Sequence, residues 1–207
     1  SLLTGVILAG GKGARFGGNK ALTKINGQYL IEWIIESYKE IFNEIIISTN
    51  APSLYRFKGI KTVKDIIPHK GPLVGIFSSL KESLNNQIFV SACDMPFIRP
   101  SLIRYMVMKS KGYDVVVPSL GEEMLEPLHA LYKKSCLPAI ERAIKANQVR
   151  VISFYSNVRV YEMGREEIIQ QDPKLDSFFN INTKEDLNKA RELFKPGRCI
   201  SSHGCRS

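Results

Sequence analysis

Two apolar patterns alternate along the chain, and each implies a different element. Short runs rich in apolar and β-branched residues, GVILAG (5–10), EIIISTN (44–50), GIKTVKD (59–65), QIFVSACDMPF (87–97) and YDVVVPSL (113–120), read as strands, the first of them continuous and ending in glycine as buried parallel strands do. Between them lie segments of helical period. YLIEWIIESYKEIF (29–42) sets Leu30, Ile31, Ile34, Ile35, Tyr38, Ile41 and Phe42 on one face. GPLVGIFSSLKESL (71–84) starts at Pro72 as a helix would, and SLIRYMVMKSKG (101–112) closes on a glycine. The second half is less regular. Residues 126–147 read as a strand running into a helix, VRVYEMG (158–164) and SFFNINT (177–183) as strands, and KEDLNKARELF as a helix capped by Thr183 with Asp186 as the acid of a capping box. Strand–helix alternation of this kind predicts an α/β fold, a single-domain, mostly parallel, doubly wound sheet.

Size and composition fit that picture. The chain has 207 residues, 44% hydrophobic and 24% charged, and no apolar run approaches a membrane span of about 20 residues. Its start reads as a strand rather than a signal peptide, so a cytoplasmic location is expected, with no membrane partner. One domain is expected over residues 1–194. The remainder, 195–207, reads as a disordered or added tail, although Cys199, His203 and Cys205 in it also have the chemistry of metal ligands. The four cysteines form no CxxC pair and no disulfide framework.

The formal charge of +9, of which three units lie in the tail, suits an anionic ligand. Nucleic acid is a remote alternative and is not the expected partner. The basic residues are interspersed with acids, and two aspartates at strand ends would repel a phosphate backbone.

Ligands of doubly wound sheets bind in the crevice at the carboxyl ends of the strands. Three features converge there: the glycine-rich stretch after the first strand, Asp65 after the third and Asp94 after the fourth. The stretch GGKGARFGGNK fits neither common phosphate fingerprint, since Phe16 replaces the third glycine of GxGxxG and Asn19 replaces the lysine of a P-loop. Its glycines still let backbone N–H groups approach a ligand, and Arg15 and Lys20 can neutralise a triphosphate. Asp94 is a natural Mg²⁺ ligand facing phosphates; a turn-forming aspartate before Pro96 is the alternative. For Asp65, capping a turn competes evenly with a ligand role. Cys93 reads as a small core residue and His129 as a satisfied structural histidine rather than a catalytic one. Asn180 and Asn182 alternate, so both side chains face one side and can hydrogen-bond a polar ligand, or merely flank the Thr183 cap.

LAGGKGARFGGNKAL resembles the nucleotidyltransferase signature LAGGxSxRxGxxKxL, and GPLVGI, CDMPF, EPLHALY and FFNINTKEDL follow in the order seen in the molybdenum cofactor guanylyltransferase family, known as MobA. The resemblance covers residues 4–194. It implies a Rossmann-like nucleotidyltransferase fold and transfer of GMP from GTP to the terminal phosphate of molybdopterin, or its molybdenum-loaded form, with release of pyrophosphate. It implies Leu8, Ala9, Gly10, Gly11, Lys20, Asp65 and Asp94 on GTP, Asp94 on Mg²⁺, and Asn180 and Asn182 on molybdopterin. Arg15, Lys20 and Asp94 would be the catalytic set. Protein partners would be other molybdenum cofactor biosynthesis proteins or acceptor apoenzymes. Ser48 stands where some members have a nucleotide-binding asparagine, with Asn50 two residues on. The alternatives are a guanylyltransferase for another phosphorylated acceptor and a molybdopterin cytidylyltransferase. The latter enzymes tend to read LAAG where this chain has Leu8-Ala9-Gly10-Gly11, which favours guanine.

Overall fold

The computed structural model describes residues 2–10, 20–67 and 71–194. Gly11, Arg15 and the tail at 195–207 lie outside them. Seven strands form the central sheet: β1 (Thr4–Leu8), β4 (Glu44–Ser48), β5 (Lys61–Val63), β6 (Gln87–Ala92), β7 (Val115–Pro118), β8 (His129–Lys133) and β9 (Val160–Met163). Their order is β5-β4-β1-β6-β8-β7-β9. All pairings are parallel except those of β8, which runs antiparallel to both β6 and β7. A two-residue-per-strand hairpin, β2 (Lys24–Ile25) with β3 (Gln28–Tyr29), stands apart. Among the described residues the α-helices are α1 (Leu30–Lys39), α2 (Pro72–Glu82), α3 (Pro100–Lys109), α4 (Leu137–Lys145), α5 (Arg165–Gln171) and α6 (Lys184–Leu193).

Strand residues alternate between two cores, as a period of two requires. On one face Ile7, Ile45, Ile47, Phe89 and Leu131 pack with Ile31, Ile34 and Tyr38 of α1, Leu102, Ile103 and Met106 of α3, and Ile168 of α5. On the other, Val6, Leu8, Ile46, Ile88, Val90 and Tyr132 pack with Leu73, Ile76, Phe77 and Leu80 of α2 and Ala139 and Ile140 of α4. Helices therefore cover both faces, which is why the strands read as unbroken apolar runs.

A third, smaller core lies beside this sandwich. It joins Ile25 of the hairpin, Leu30, Phe97, Ile181, and Ala190 and Phe194 of the α6 region. Trp33 stacks on Phe194 with ring centroids 4.6 Å apart, and Phe97 lies 4.5 Å from the same ring. Thr183 caps α6 as expected. Its Oγ1 accepts from the Asp186 N–H at 3.1 Å, and Asp186 Oδ2 accepts from the Thr183 N–H at 2.9 Å.

Residues 177–183 are not a strand. The Asp172 carboxylate accepts the N–H groups of Asp176 and Ser177, at 3.2 and 2.9 Å, and winds Asp176–Phe178 into a 3₁₀ turn. Beyond it the chain is extended, but Ile181 N–H donates to the Asp94 carbonyl at 2.8 Å rather than into a ladder. The hairpin and α5 were not foreseen. The hairpin is too short to show alternation, and its one signal is Asn26-Gly27, whose φ angles of 49° and 85° make the turn.

The central strand, β1, depends on Gly5. A Cβ there would drive into the rings of Phe42 and Tyr38. Both rings are buried, and the Tyr38 hydroxyl is fixed by the Val6 carbonyl at 3.1 Å and Ser91 Oγ at 2.5 Å. Gly5→Ala is expected to lower unfolding free energy by about 1–3 kcal/mol. A urea transition at the parent's midpoint would contradict this packing.

Candidate functional site

Strand order reverses between β1 and β6. From β1 the chain moves outward through β4 to β5, then returns to place β6 on β1's other side. The crevice of such a sheet opens outside the carboxyl ends at that reversal. β1 ends there at Leu8, followed by Ala9 and the exposed Gly10, and β6 ends there with Asp94 two residues beyond Ala92.

Leu8 is buried against α2, so its side chain belongs to the core and only its backbone faces the crevice end. Ala9 N–H donates to the Ser48 carbonyl at 2.9 Å and carries the β1–β4 pairing one residue further. Gly10 has open space around its Cα.

Asp65 is half-buried and held by Asn50, whose Nδ2 donates to Asp65 Oδ2 at 3.4 Å while its Oδ1 accepts the Asp65 N–H at 3.3 Å. Ser48 is buried, and its Oγ lies under α2. At this edge it is therefore Asn50, not Ser48, that meets Asp65. Gly75 of α2 permits the close approach. A Cβ there would lie 2.9 Å from Ser48 Oγ, 3.3 Å from Leu8 Cδ2 and 3.4 Å from Asp65 Oδ1.

Lys20 opens a short 3₁₀ turn, Lys20–Leu22, anchored by buried Ala21. Its Nζ donates to Asn182 Oδ1 at 2.9 Å, across 162 residues of chain. Residues 176–182 are fastened to the Asp94 segment at several points. Arg99 Nη2 lies 2.6 Å from Asp176 Oδ2, and its Nε 3.6 Å from the buried Asp172 carboxylate. Phe97 meets Phe179 edge-on at 5.9 Å, and Ile181 bonds the Asp94 carbonyl. The structure thus joins Lys20 to Asn182 and ties the neighbouring Ile181 to the Asp94 backbone, with Asn180 exposed on the same segment. Asp65 stands apart from them, at the end of β5 beyond β4.

Sequence reasoning missed Glu126. In the antiparallel β6–β8 ladder Ser91 lies opposite His129. Glu126 lies just before β8, in a turn where its carbonyl accepts the His129 N–H at 3.1 Å. Burial, and then the Asp94 charge, push the Glu126 carboxyl above the ordinary carboxylate range. The glutamate was visible in EPLHALY, but the direction of β8 that delivers it was not. Among the described residues, no group of three or more His, Cys, Asp or Glu side chains is arranged to hold a metal by itself.

Residues 5–159 match the family model described as MobA-like NTP transferase domain. Over 195 residues the chain is 42% identical to a protein of Pelotomaculum thermopropionicum named "probable molybdenum cofactor guanylyltransferase", covering 94% of this chain and 95% of the relative. It is 37% identical to the "molybdenum cofactor guanylyltransferase" of Desulfosudis oleivorans, covering 95% and 98%. Among solved structures, molybdopterin-guanine dinucleotide biosynthesis protein A from Archaeoglobus fulgidus superposes with a TM-score of 0.79 at 30% identity, covering 92% of this chain and 97% of that one. A 2-C-methyl-D-erythritol 4-phosphate cytidylyltransferase from Thermus thermophilus, at 15% identity and a TM-score of 0.68, shares the fold over 93% of this chain and 98% of its own.

Two other candidates lie in the core. Burial, with the Asp94 charge second, pushes the Cys93 thiol up to about 12, so it is inert rather than nucleophilic. His129 is structural, yet it is not the hydrogen-bonded histidine expected. It is fully buried between Phe89 and Phe178, with ring centroids at 4.9 and 5.0 Å. Neither ring nitrogen has a hydrogen-bond partner among the described residues.

Burial lowers the His129 pKa from 6.5 to about 3. An unfolded chain takes up this proton as pH falls through about 6.5, and the folded one refuses it until about 3. Stability contributed by the neutral ring is therefore present above that window and is lost on acidification, by up to about 1.4 kcal/mol per pH unit. His129→Phe is expected to flatten the decline between about pH 6.5 and 4 in urea titrations. Parallel declines in parent and variant would contradict the assignment.

Proposed function

The chain belongs to the MobA-like NTP transferase family, and from that membership we propose that it transfers GMP from GTP to the terminal phosphate of molybdopterin. The products are molybdopterin guanine dinucleotide and pyrophosphate. The observation that carries the reading is the contact of Lys20 with Asn182, on a segment bonded to the Asp94 carbonyl just beyond β6, in a chain alike over nearly its whole length to molybdenum cofactor guanylyltransferases.

In this reading a terminal phosphate oxygen of the acceptor attacks the α-phosphorus of GTP. A new P–O bond forms as the bond to the α,β-bridging oxygen breaks, and both electrons leave with pyrophosphate. The acceptor phosphate is already an anion near neutral pH, so no strong base is required of the protein. Its work is alignment and stabilisation of charge.

The Lys20 ammonium serves the phosphates, joined by Arg15 and the backbone amides that follow Gly10. Asp65, braced by Asn50, serves the nucleoside end at the far side of β4. Asn180 and Asn182 serve the pterin from a segment tied to the Asp94 carbonyl. Asp94, with Glu126 near enough to feel its charge, offers the hard oxygen ligands that suit Mg²⁺ completed by substrate phosphates. When bound, that ion neutralises the charge gathering on pyrophosphate. We set the reaction in the cytoplasm; the free, buried thiols of Cys93 and Cys136 suit a reducing compartment.

The test is incorporation of label from α-labelled GTP into the dinucleotide, with molybdopterin and Mg²⁺ and with CTP as the rival donor. GTP is expected to be used and CTP largely refused. Asp94→Asn is expected to cut turnover by roughly 100-fold or more, as loss of a main stabiliser of developing charge does, with an unchanged melting temperature. Preference for CTP would overturn the choice of guanine, and near-parental turnover by Asp94→Asn would overturn the role of Asp94.

A further inference from the structure

The hydrogen bond from Lys20 Nζ to Asn182 Oδ1, 2.9 Å long, joins the two halves of the site. The proposal above puts these residues on different substrates, the lysine on the nucleotide and the asparagine on the acceptor. Their direct contact is not required by either role.

The two ends of this bond differ in rigidity. Asn182 N–H donates to Asp186 Oδ2 at 2.9 Å, inside the capping box of α6. Its neighbour Ile181 is 1% exposed in the satellite core and donates its N–H to the Asp94 carbonyl at 2.8 Å. The asparagine thus stands on a backbone fixed from both sides. Lys20 has a flexible four-carbon stem that carries about 2 kcal/mol of rotamer entropy when free. A bond between a fixed acceptor and a flexible donor orders the donor. An ammonium has three N–H donors, so donating one to Asn182 is compatible with donating to a phosphate oxygen.

We propose that Asn182 is a positioning residue for Lys20, so that an asparagine on the acceptor side also sets the affinity for the nucleoside triphosphate. The bond aims the ammonium into the crevice before the nucleotide arrives, and part of the ordering cost is met in folding. Because Asn182 then belongs to both half-sites, the affinities of the two substrates are coupled, and the coupling is reciprocal.

This inference rests on the reading of Lys20 as the cation of the triphosphate, and one experiment separates the two. Binding of GTP with Mg²⁺, and no molybdopterin, is measured by calorimetry for the parent, Lys20→Ala, Asn182→Ala and the double variant. Melting temperatures verify that each is folded.

Lys20→Ala is expected to weaken binding most. Asn182→Ala, although no acceptor is present, is expected to weaken it roughly 3- to 10-fold, and the double variant should bind no worse than Lys20→Ala alone. If Lys20→Ala binds GTP as the parent does, the role given to Lys20 falls. If Lys20→Ala is weakened while Asn182→Ala is unchanged or tighter, or if the two effects add, that role stands and the positioning by Asn182 is overturned.

Discussion

Gly5 is the residue on which the arrangement of the sheet depends. β1 is the one strand flanked by parallel neighbours that connect to opposite halves of the topology, β4 on one side and β6 on the other. Its burial is complete, so a helix must lie on each face, and α1 lies close enough for Tyr38 to reach the Val6 carbonyl. Only a residue without a side chain leaves room at position 5 for the Tyr38 and Phe42 rings. The tyrosine also ties β1 to β6 through Ser91, across the reversal where the crevice opens. Packing in the middle of the strand thus fixes what stands at its end, and the glycine-rich stretch starts from a rigid point.

How much of this can be read from the sequence follows from which forces act locally. Strands buried on both faces appear as unbroken apolar runs, so β1, β4, β6 and β7 were legible, and with β6 the strand end that carries Asp94; Asp65 follows β5, legible as a strand although lysines interrupt its run. The direction of a strand leaves no trace in hydrophobicity. The antiparallel course of β8 was therefore invisible, and so was the action of the Asp94 charge on the half-buried Glu126. Residues 177–183 misled for a related reason. Phe178 and Ile181 are buried while Asn180 is exposed, which resembles a half-buried strand, but the hydrogen bonds are supplied by Asp172 and the Asp94 carbonyl rather than by a neighbouring strand. His129 was legible as structural, whereas its unpaired nitrogens depend on which rings enclose it.

The satellite core sets the residues we propose for the acceptor apart from those we propose for the nucleotide. The nucleotide-side residues rise from the sheet itself, at the ends of β1, β5 and β6. The acceptor-side residues do not. They sit on an extended segment with only one backbone bond to the Asp94 loop, held by Ile181 in a cluster with Phe97, Leu30 and Ile25, and by the grip of Arg99 on Asp172 and Asp176. The β2–β3 hairpin, which looks incidental by length, closes this cluster. Asn26 Nδ2 donates to the Arg191 carbonyl of α6 at 3.3 Å, and Trp33 Nε1 to the Ile25 carbonyl at 3.0 Å. The hairpin follows directly after Lys20–Leu22, so the lysine turn and the asparagine segment are braced by the same small core.

That shared bracing gives the two half-sites different mechanical characters. The sheet edge is held by the whole sandwich and moves only if the fold does. The asparagine segment depends on a handful of rings and one partly buried cluster of Arg99 with two aspartates. Small, separately packed units open at lower cost than the cores beside them. The bonds of Ile181 to the Asp94 carbonyl and of Asn182 to Asp186 nevertheless hold Asn182, and with it the Lys20 contact, to both the end of β6 and α6. The division of the fold into a large and a small core places Asp65 and Asp94 with the sheet and Asn180 and Asn182 with the satellite cluster, and the Lys20–Asn182 bond spans the two.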